Sequence, residues 1–133
     1  MGTVISFSNH KGGVGKSCSV CNLGAGISNF GKQGKQVLLI DLDPQANLSL
    51  HLGITEPVKS IYNALKGECK LKDTIVKVTD KLHVVPATLD HAVQWMTCYE
   101  EISIFAVITF VPGNYLIWVR FRLSFNYYDF IHE

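Results

Sequence analysis

One short segment constrains the fold of this chain more than any other: Lys11-Gly12-Gly13-Val14-Gly15-Lys16-Ser17. The apolar segment Thr3–Ser8 precedes it and predicts a short β-strand that is buried in a parallel sheet. Residues 16–30 follow it and have the length of a helix. A strand, a glycine-rich loop and a helix in this order predict a phosphate-binding loop.

Each residue type in this loop has a physical role in holding phosphate. Glycines carry no Cβ, so the backbone N–H groups can come close to phosphate oxygens. The helix that begins near Lys16 adds its unpaired amides and the positive end of its dipole. The Lys16 ammonium can reach the β- and γ-phosphates, and the Ser17 hydroxyl can bind Mg²⁺. The general P-loop pattern asks for a glycine where His10 stands, and the alternative is a glycine-rich turn that only caps a helix.

The next apolar segment, residues 36–42, predicts a second buried strand. Strand, loop, helix and strand form a βαβ unit, whose two strands we expect to be parallel neighbours in the sheet. The helix between them has apolar or small residues at three- and four-residue spacings. These residues predict its buried face: Val20, Leu23, Gly24 and Ile27.

Three further elements are predicted downstream. A short amphipathic helix over residues 57–66 begins at Pro57 and turns Ile61, Ala64 and Leu65 inward. Residues 82–86 predict a third strand, and residues 89–100 predict another helix.

Two carboxylates, Asp41 and Asp43, stand at the end of the second predicted strand. Ligands of α/β sheets bind at the carboxyl ends of the strands, so this position favours a functional role. Alternation along an extended strand would point the two side chains to opposite sides. The alternative is a pair of solvated carboxylates at a strand end.

Cys18-Ser19-Val20-Cys21 forms a Cys-x-x-Cys pattern within the predicted first helix. We interpret these cysteines first as small residues in the core of a helix. Redox or metal chemistry is the alternative, but no second cysteine pair supports it.

Two motifs together carry a resemblance to a known family. Residues 11–17 resemble the deviant Walker A loop of the ParA/MinD ATPases. Leu38-Leu39-Ile40-Asp41-Leu42-Asp43-Pro44-Gln45-Ala46-Asn47 resembles the Asp-x-Asp-Pro-Gln-x-Asn block of ParA/Soj chromosome- and plasmid-partitioning proteins. Val84-Val85-Pro86-Ala87 resembles the third strand of the family more weakly. The similarity covers roughly residues 1–95, and it implies the N-terminal part of a parallel-sheet α/β P-loop NTPase fold.

The resemblance implies ATP and Mg²⁺ as cofactors and assigns the site. Lys11 would be the signature lysine that reaches the ATP of a partner subunit, and Asp43 would orient the attacking water. Ser17 would hold Mg²⁺ and Asp41 would support the magnesium shell, so these are the two metal residues. Lys11, Lys16 and Asp43 are the catalytic set. The nucleotide-binding set is Lys11, Gly12, Gly13, Val14, Gly15, Lys16, Ser17 and Cys18, the last through its backbone N–H.

The same resemblance implies partners, whereas the cysteines indicate the cell compartment. Family members form ATP-dependent homodimers and act with a centromere-binding protein and non-specific DNA, but DNA binding cannot be assigned to residues here. The net charge of +1 likewise gives no indication of a strong electrostatic surface for nucleic acid. Four cysteines without a basic-then-apolar leader predict a reducing, cytoplasmic setting and no disulfide framework.

Residues 101–133 depart from the family, so we divide the chain into an incomplete nucleotide-binding region, residues 1–100, and an atypical tail. Residues 99–133 hold ten of the fourteen aromatic residues and no lysine, which is a warning that the two ends of the chain do not form one foldable unit. Residues 102–119 carry no charge, and Pro112-Gly113-Asn114 interrupts them. This pattern favours a β-hairpin or a disordered apolar segment over a membrane span or non-native coding.

Tyr128-Asp129-Phe130-Ile131 resembles the opening of the family's Walker B strand, after which the sequence stops. The simplest hypothesis is therefore a truncated ParA-like reading frame. A half-sheet would expose an apolar edge, which predicts poor solubility or dependence on another chain.

Three functions remain open on the sequence alone. The first is an ATP-binding, partitioning protein of the ParA type; ATP hydrolysis is implied, but the family's Walker B segment is missing, which leaves turnover open. The second is a catalytically inactive nucleotide-binding module that interacts with an intact homologue. The third is a non-functional relic.

Overall fold

The computed structural model describes residues 3–9, 11–89, 104–110, 120–123 and 126–129. The strands are β1 (Thr3–Ser8), β2 (Val37–Asp41), β3 (Val76–Lys77), β4 (Leu82–Val85), β5 (Ile104–Phe110), β6 (Arg120–Leu123) and β7 (Asn126–Asp129). The helices are α1 (Lys16–Ser28), α2 (Asn47–His51) and α3 (Ile61–Leu65), with 3₁₀ turns at Gly31–Gln33 and Leu71–Thr74. Five strands form one sheet in the order β1-β5-β2-β4-β3, and β6 and β7 form a second, two-stranded sheet.

The first two strands run in the same direction but are not neighbours. β5 lies between them and pairs antiparallel with both β1 and β2. The expectation that β1 and β2 pair directly is therefore wrong, although their parallel direction is right. β2 pairs in parallel with β4, and β3 pairs antiparallel with β4. The physical reason is that β5, which begins more than sixty residues after β2 ends, occupies the position between β1 and β2.

Both faces of β2 are covered, which explains why all five of its residues are buried. On one face Val37 and Leu39 pack with α1 residue Val20 and with Val84 of β4. On the other face a second cluster surrounds α3. Its buried members are Leu38, Ile40, Leu42, Ala46, Ile61, Tyr62, Val85 and Ala87. This alternation is the one that an extended strand imposes on its side chains.

Helix α1 approaches β2 closely at a glycine. Val20, Gly24 and Ser28 form its buried stripe. A Cβ placed on Gly24 would lie only 2.7 Å from Leu39 Cδ2, so the absence of a side chain permits the close packing. Ile27 packs against the same cluster, as expected, but Leu23 is exposed, and its predicted burial is wrong. The stripe runs at four-residue steps, and Leu23 lies to one side of it.

The elements downstream of β2 are shorter than the sequence predicts. α3 begins at Ile61 rather than Pro57, because the backbone N–H of Ser60 donates to Asn63 Oδ1 (2.8 Å) and fixes the helix start there. Ile61 and Ala64 are buried and Leu65 is partly buried, as predicted. β4 confirms the predicted third strand. The helix predicted over residues 89–100 lies, from residue 90 onwards, outside the described residues.

The main sheet continues past residue 100, because β5 lies inside it. Part of the uncharged segment 102–119 is thus a strand, whose partners are β1 and β2. Pro112-Gly113-Asn114 falls outside the described residues, so the predicted hairpin turn stays a prediction. Asp129 ends β7, which pairs antiparallel with β6 and not with the main sheet. Across the described parts of the chain, no helix has both the length and the hydropathy needed to span a bilayer.

Candidate functional site

The glycine loop follows β1 and is exposed from Lys11 to Gly15. Gly13 and Gly15 have φ values of 70° and 82°, in the left-handed region that glycine adopts without strain. A Cβ on Gly12, Gly13 or Gly15 would meet no atom within 4 Å. The space above the loop backbone is therefore open to a ligand.

The first turn of α1 has no side chain that caps it. Its N-cap is Gly15, which has no side chain to cap the helix, and no acidic residue lies in the first turn. The first amide to bond back within this region is that of Ser19, which donates to Gly15 O (2.8 Å). The amides of Ser17 and Cys18 belong to the group that a helix start leaves without intrahelical partners. This end of α1 is thus suited to an anion.

The two lysines of the loop differ in their surroundings. Lys16 Nζ donates to the carbonyl oxygens of Asn9 (3.2 Å) and Lys11 (3.1 Å), so its ammonium lies across the base of the loop. The backbone N–H of Lys11 donates to Asn9 Oδ1 (2.9 Å), which orders the loop entrance, while Lys11 itself is exposed. One ammonium is therefore placed within the loop and the other belongs to a residue that faces solvent.

Asp43 is nearly buried and closes a turn after β2. Its Oδ1 accepts from Gln45 N (2.9 Å) and its Oδ2 accepts from Asn47 Nδ2 (3.1 Å). Ala46 completes this turn with a φ of 53°, the one positive value among the described residues other than glycine. A left-handed alanine costs roughly 1–2 kcal/mol, so the surrounding hydrogen bonds must hold it. The Asp-Pro-Gln-Ala-Asn block is thus a self-bonded turn that presents Asp43.

Asp41 is completely buried, and it bonds inward. Its Oδ1 accepts from Asp43 N (3.1 Å), and its Oδ2 accepts from both the backbone N–H (2.9 Å) and the hydroxyl (2.6 Å) of Ser49. The same hydroxyl accepts from Ala87 N (3.0 Å), which lies just beyond β4. Burial raises the pKa of Asp41 to about 6, although the bonds from Ser49 oppose this rise. Asp41 therefore joins the ends of two strands to α2.

Two residues of this region were not singled out from the sequence: Ser49 and Tyr62. The Tyr62 hydroxyl donates to Asp43 O (3.4 Å), and burial, together with the charges of Asp41 and Asp43, raises the pKa of Tyr62. Both residues lie in segments that reach Asp41 and Asp43 only after the turn and α3 have folded back. No spacing in the sequence indicates these contacts.

The sheet brings the glycine loop and the carboxylates to one edge. Phe7 of β1 and Asp41 of β2 both stand opposite Ala106 of β5. Two interstrand spacings therefore separate them, about 10 Å. The loop leaves β1 two residues after Phe7, and Asp43 lies two residues after Asp41, so both emerge at the same level of the sheet.

Histidine, cysteine and acidic side chains do not group into a metal site of three or more within the described ranges. A hard cation such as Mg²⁺ prefers oxygen ligands and is often held by one or two protein groups plus substrate phosphates. The hydroxyl of Ser17 in the first turn of α1 suits that arrangement. Any magnesium here would therefore be bound together with phosphate.

A sequence profile described as an AAA domain matches residues 2–108. The chain belongs to this AAA-domain family. Among individual proteins, the sporulation initiation inhibitor protein Soj of Bacillus subtilis is 40% identical over 95 residues, which are 69% of this chain and 36% of Soj. The resemblance to ParA/Soj-type partitioning ATPases is thus confirmed. The chain spans about a third of the length of the curated relatives it matches.

Solved structures give the same result for the fold. A plasmid partition protein from Borrelia burgdorferi bound to AMPPNP is 30% identical, with a TM-score of 0.58 over 72% of this chain and 41% of that one. Cobyrinic acid a,c-diamide synthase from Mycobacterium smegmatis, with a bound ATP analog and magnesium, is 31% identical. Its TM-score is 0.57 over 71% of this chain and 39% of that chain. These neighbours confirm the predicted α/β P-loop NTPase class.

Proposed function

We propose that this chain binds Mg-ATP at the glycine loop and serves in partitioning of the ParA/Soj type. The observation that carries the proposal is the open, left-handed glycine loop that leads into an uncapped helix start with two lysines. The matched relatives act in chromosome and plasmid partitioning, and two structural neighbours hold ATP analogs. The nucleotide-binding region proposed for residues 1–100 depends on β5 of the tail, because β5 completes the sheet between β1 and β2.

Each residue of the site has a proposed part in binding. The amides of residues 12–18 face the phosphates, and the Lys16 ammonium exchanges its carbonyl partners for phosphate oxygens. Mg²⁺ would supply neutralisation of the phosphate charge, with the Ser17 hydroxyl as its protein ligand. Asp43 holds the attacking water, and Asp41 fixes Asp43 through its hydrogen bond to the Asp43 backbone.

Lys11 has a proposed part outside its own subunit. Its residue is exposed at the loop entrance, so its ammonium can reach the phosphates bound by a second copy. A cation delivered from a partner stabilises transition-state charge in phosphoryl transfer. A homodimer, a centromere-binding partner, non-specific DNA and a cytoplasmic setting complete the proposal as properties of the whole partitioning system.

Nucleotide titration tests the proposal directly. Calorimetry with Mg-AMPPNP should show binding by the wild-type chain, and Lys16→Ala should weaken it by roughly 10- to 100-fold, because a charge-assisted hydrogen bond contributes about 1.5–3 kcal/mol. Lys59→Ala removes an exposed lysine outside the loop and should leave the affinity unchanged. Equal affinity of the wild type and the Lys16 variant, or no affinity of either at millimolar nucleotide, would contradict the proposal.

Turnover separates the partitioning ATPase from an inactive nucleotide-binding module. The module is favoured by one observation: β5 occupies the place between β1 and β2, while Asp129 lies in the separate β6–β7 hairpin. If Asp43→Ala leaves AMPPNP affinity intact and removes ATP hydrolysis, the chain is an ATPase. Binding without hydrolysis in the wild type supports the module.

A further inference from the structure

Only one cysteine of the Cys-x-x-Cys pattern of α1 lies against the core as expected, because Cys21 packs against the cluster that contains Val20 and Leu39. Cys18 is exposed and Cys21 is half-buried, and both belong to the first two turns of the helix. The amide of Asn22 donates to the Cys18 carbonyl (2.8 Å) and to Cys18 Sγ (3.3 Å), so the Cys18 sulfur is held on the helix surface. The exposed thiol of Cys18 therefore needs an explanation other than core packing.

The helical spacing brings the two cysteines within range of a disulfide. Residues i and i+3 of an α-helix have Cα atoms about 5 Å apart, within the range of roughly 4.4–6.8 Å found in disulfides. They lie on one side of the helix, and the Cys18 charge contributes, after burial, to the raised pKa of Cys21, which agrees with their proximity. A bond between them requires no movement of one element against another.

Closure of that bond must nevertheless distort the turn of α1 between Cys18 and Cys21. Cβ atoms at i and i+3 on a helix are about 5–6 Å apart, whereas a disulfide holds them at about 4 Å. The turn that must tighten, residues 18–21, begins at Cys18, whose amide the proposed function places against phosphate. Nucleotide and disulfide thus require different shapes of the same turn.

We propose that Cys18 and Cys21 form a thiol–disulfide couple that controls nucleotide binding at the adjacent loop. The inference rests on the proposed function for its effect on nucleotide, although the couple itself does not. The oxidant is a small disulfide of the glutathione class. The exposed Cys18 thiolate attacks one sulfur of that disulfide and releases one thiolate. Cys21 sulfur then attacks Cys18 Sγ, closes the intramolecular disulfide and releases the second thiolate. The two protons of the protein thiols pass to the two released thiolates, so two cysteines are oxidised and one small disulfide is reduced.

The test begins with the full-length chain in mixtures of reduced and oxidised glutathione. Free thiols are alkylated, and the protein is cleaved after lysine, which places Cys18 and Cys21 together in residues 17–32 and Cys69 alone in residues 67–70. We expect peptide 17–32 to lose two hydrogens and to escape alkylation on oxidation. A stable glutathione adduct on Cys18 without ring closure would overturn the couple.

The second measurement is nucleotide affinity in the two redox states. We expect oxidation to weaken Mg-AMPPNP binding about tenfold or more, and we expect saturating Mg-AMPPNP to disfavour the disulfide by the same factor, since such coupling is reciprocal. This comparison needs no variant. Cys21→Ser should abolish the response to glutathione disulfide, and Cys69→Ser should retain it.

The failures of the two proposals are distinguishable. Normal nucleotide affinity with no disulfide, or with equal affinity in both redox states, overturns only the redox control. A reduced chain that binds no nucleotide overturns the proposed function, and with it the control, even if peptide 17–32 forms its disulfide.

Discussion

A single buried carboxylate does most to connect the candidate site with the core. Asp41 is shielded from water on all sides, which raises the free energy of its charged form. Three hydrogen-bond donors compensate, two from Ser49 and one from Asp43. The sequence predicted the position of Asp41 at a strand end but not this inward bonding, because Ser49 reaches it only through the folded turn. The carboxylate therefore positions Asp43 as part of the fold.

Substitution of Asp41 by asparagine should destabilise the chain at neutral pH. Whichever way the amide turns, its NH₂ group faces a backbone N–H, of either Asp43 or Ser49, and that donor loses its acceptor. We expect a loss of about 1–3 kcal/mol in the free energy of unfolding, measured by urea denaturation at pH 7. Unchanged stability of Asp41→Asn would show that these bonds do not form.

The pH dependence of the same variant gives a second prediction. The folded pKa of about 6 lies above the ordinary value of 3.8, so the folded chain binds this proton more tightly than the unfolded chain. The stabilising contribution of protonated Asp41 is fully present below pH 4 and is lost as the pH rises through 6. Relative to Asp41→Asn, the free energy of unfolding of the wild type should fall by up to about 3 kcal/mol between pH 4 and 7.

Asp80 provides a control of opposite sign for that measurement. The Lys77 ammonium lowers the pKa of this exposed carboxyl, through a hydrogen bond and its charge. Its small contribution is therefore lost as the pH falls. Urea titrations at each pH should give a difference curve for Asp80→Asn that does not decline towards neutral pH. Parallel curves for the wild type and Asp41→Asn would contradict the assignment of the slope to Asp41.

Local sequence signals predicted where the secondary structure elements lie, but not how distant strands pair. The bounds of β1, the start of α1 and the strand at 82–85 follow from apolar runs, the glycine loop and periodicity. α2 and β3 are too short to leave a pattern. The pairing of β5 was not predictable, because an uncharged run indicates a buried strand without naming its neighbours. Its antiparallel position between β1 and β2 depends on contacts between residues that are far apart in the sequence.

The packing of α1 on β2 predicts opposite effects for two glycines two residues apart. Gly24→Ala would place a methyl group 2.7 Å from Leu39 Cδ2, and we expect overpacking to cost about 1–3 kcal/mol. Gly26→Ala meets no atom within 4 Å and should stabilise the helix by roughly 0.5–1 kcal/mol. Thermal and urea unfolding of the pair measures both. A stabilising effect of Gly24→Ala would mean that α1 lies further from the sheet.

For the whole molecule, we expect the β1 edge of the main sheet to govern association with other chains. β1 is the last strand, and of the described strands only β5 bonds to it. Ile5 and Phe7 pack towards α1, but Val4 on the other face is 58% exposed. No charge or proline within Thr3–Ser8 protects this edge from pairing with another chain. Poor solubility stays a prediction, and this edge is the place where we expect association with another chain.

A lysine at this edge should improve solubility without a change of fold. Val4→Lys places a charge on the exposed edge strand, the device that natural sheets use against edge-to-edge association, and surface substitutions usually alter stability by no more than ~0.5 kcal/mol. Val58→Lys makes the same chemical change at a residue that is 99% exposed in a loop. Size-exclusion chromatography with light scattering over a range of micromolar concentrations should show more monomer for Val4→Lys and no gain for Val58→Lys. An equal gain for both variants would mean that net charge, and not the free edge of β1, limits solubility.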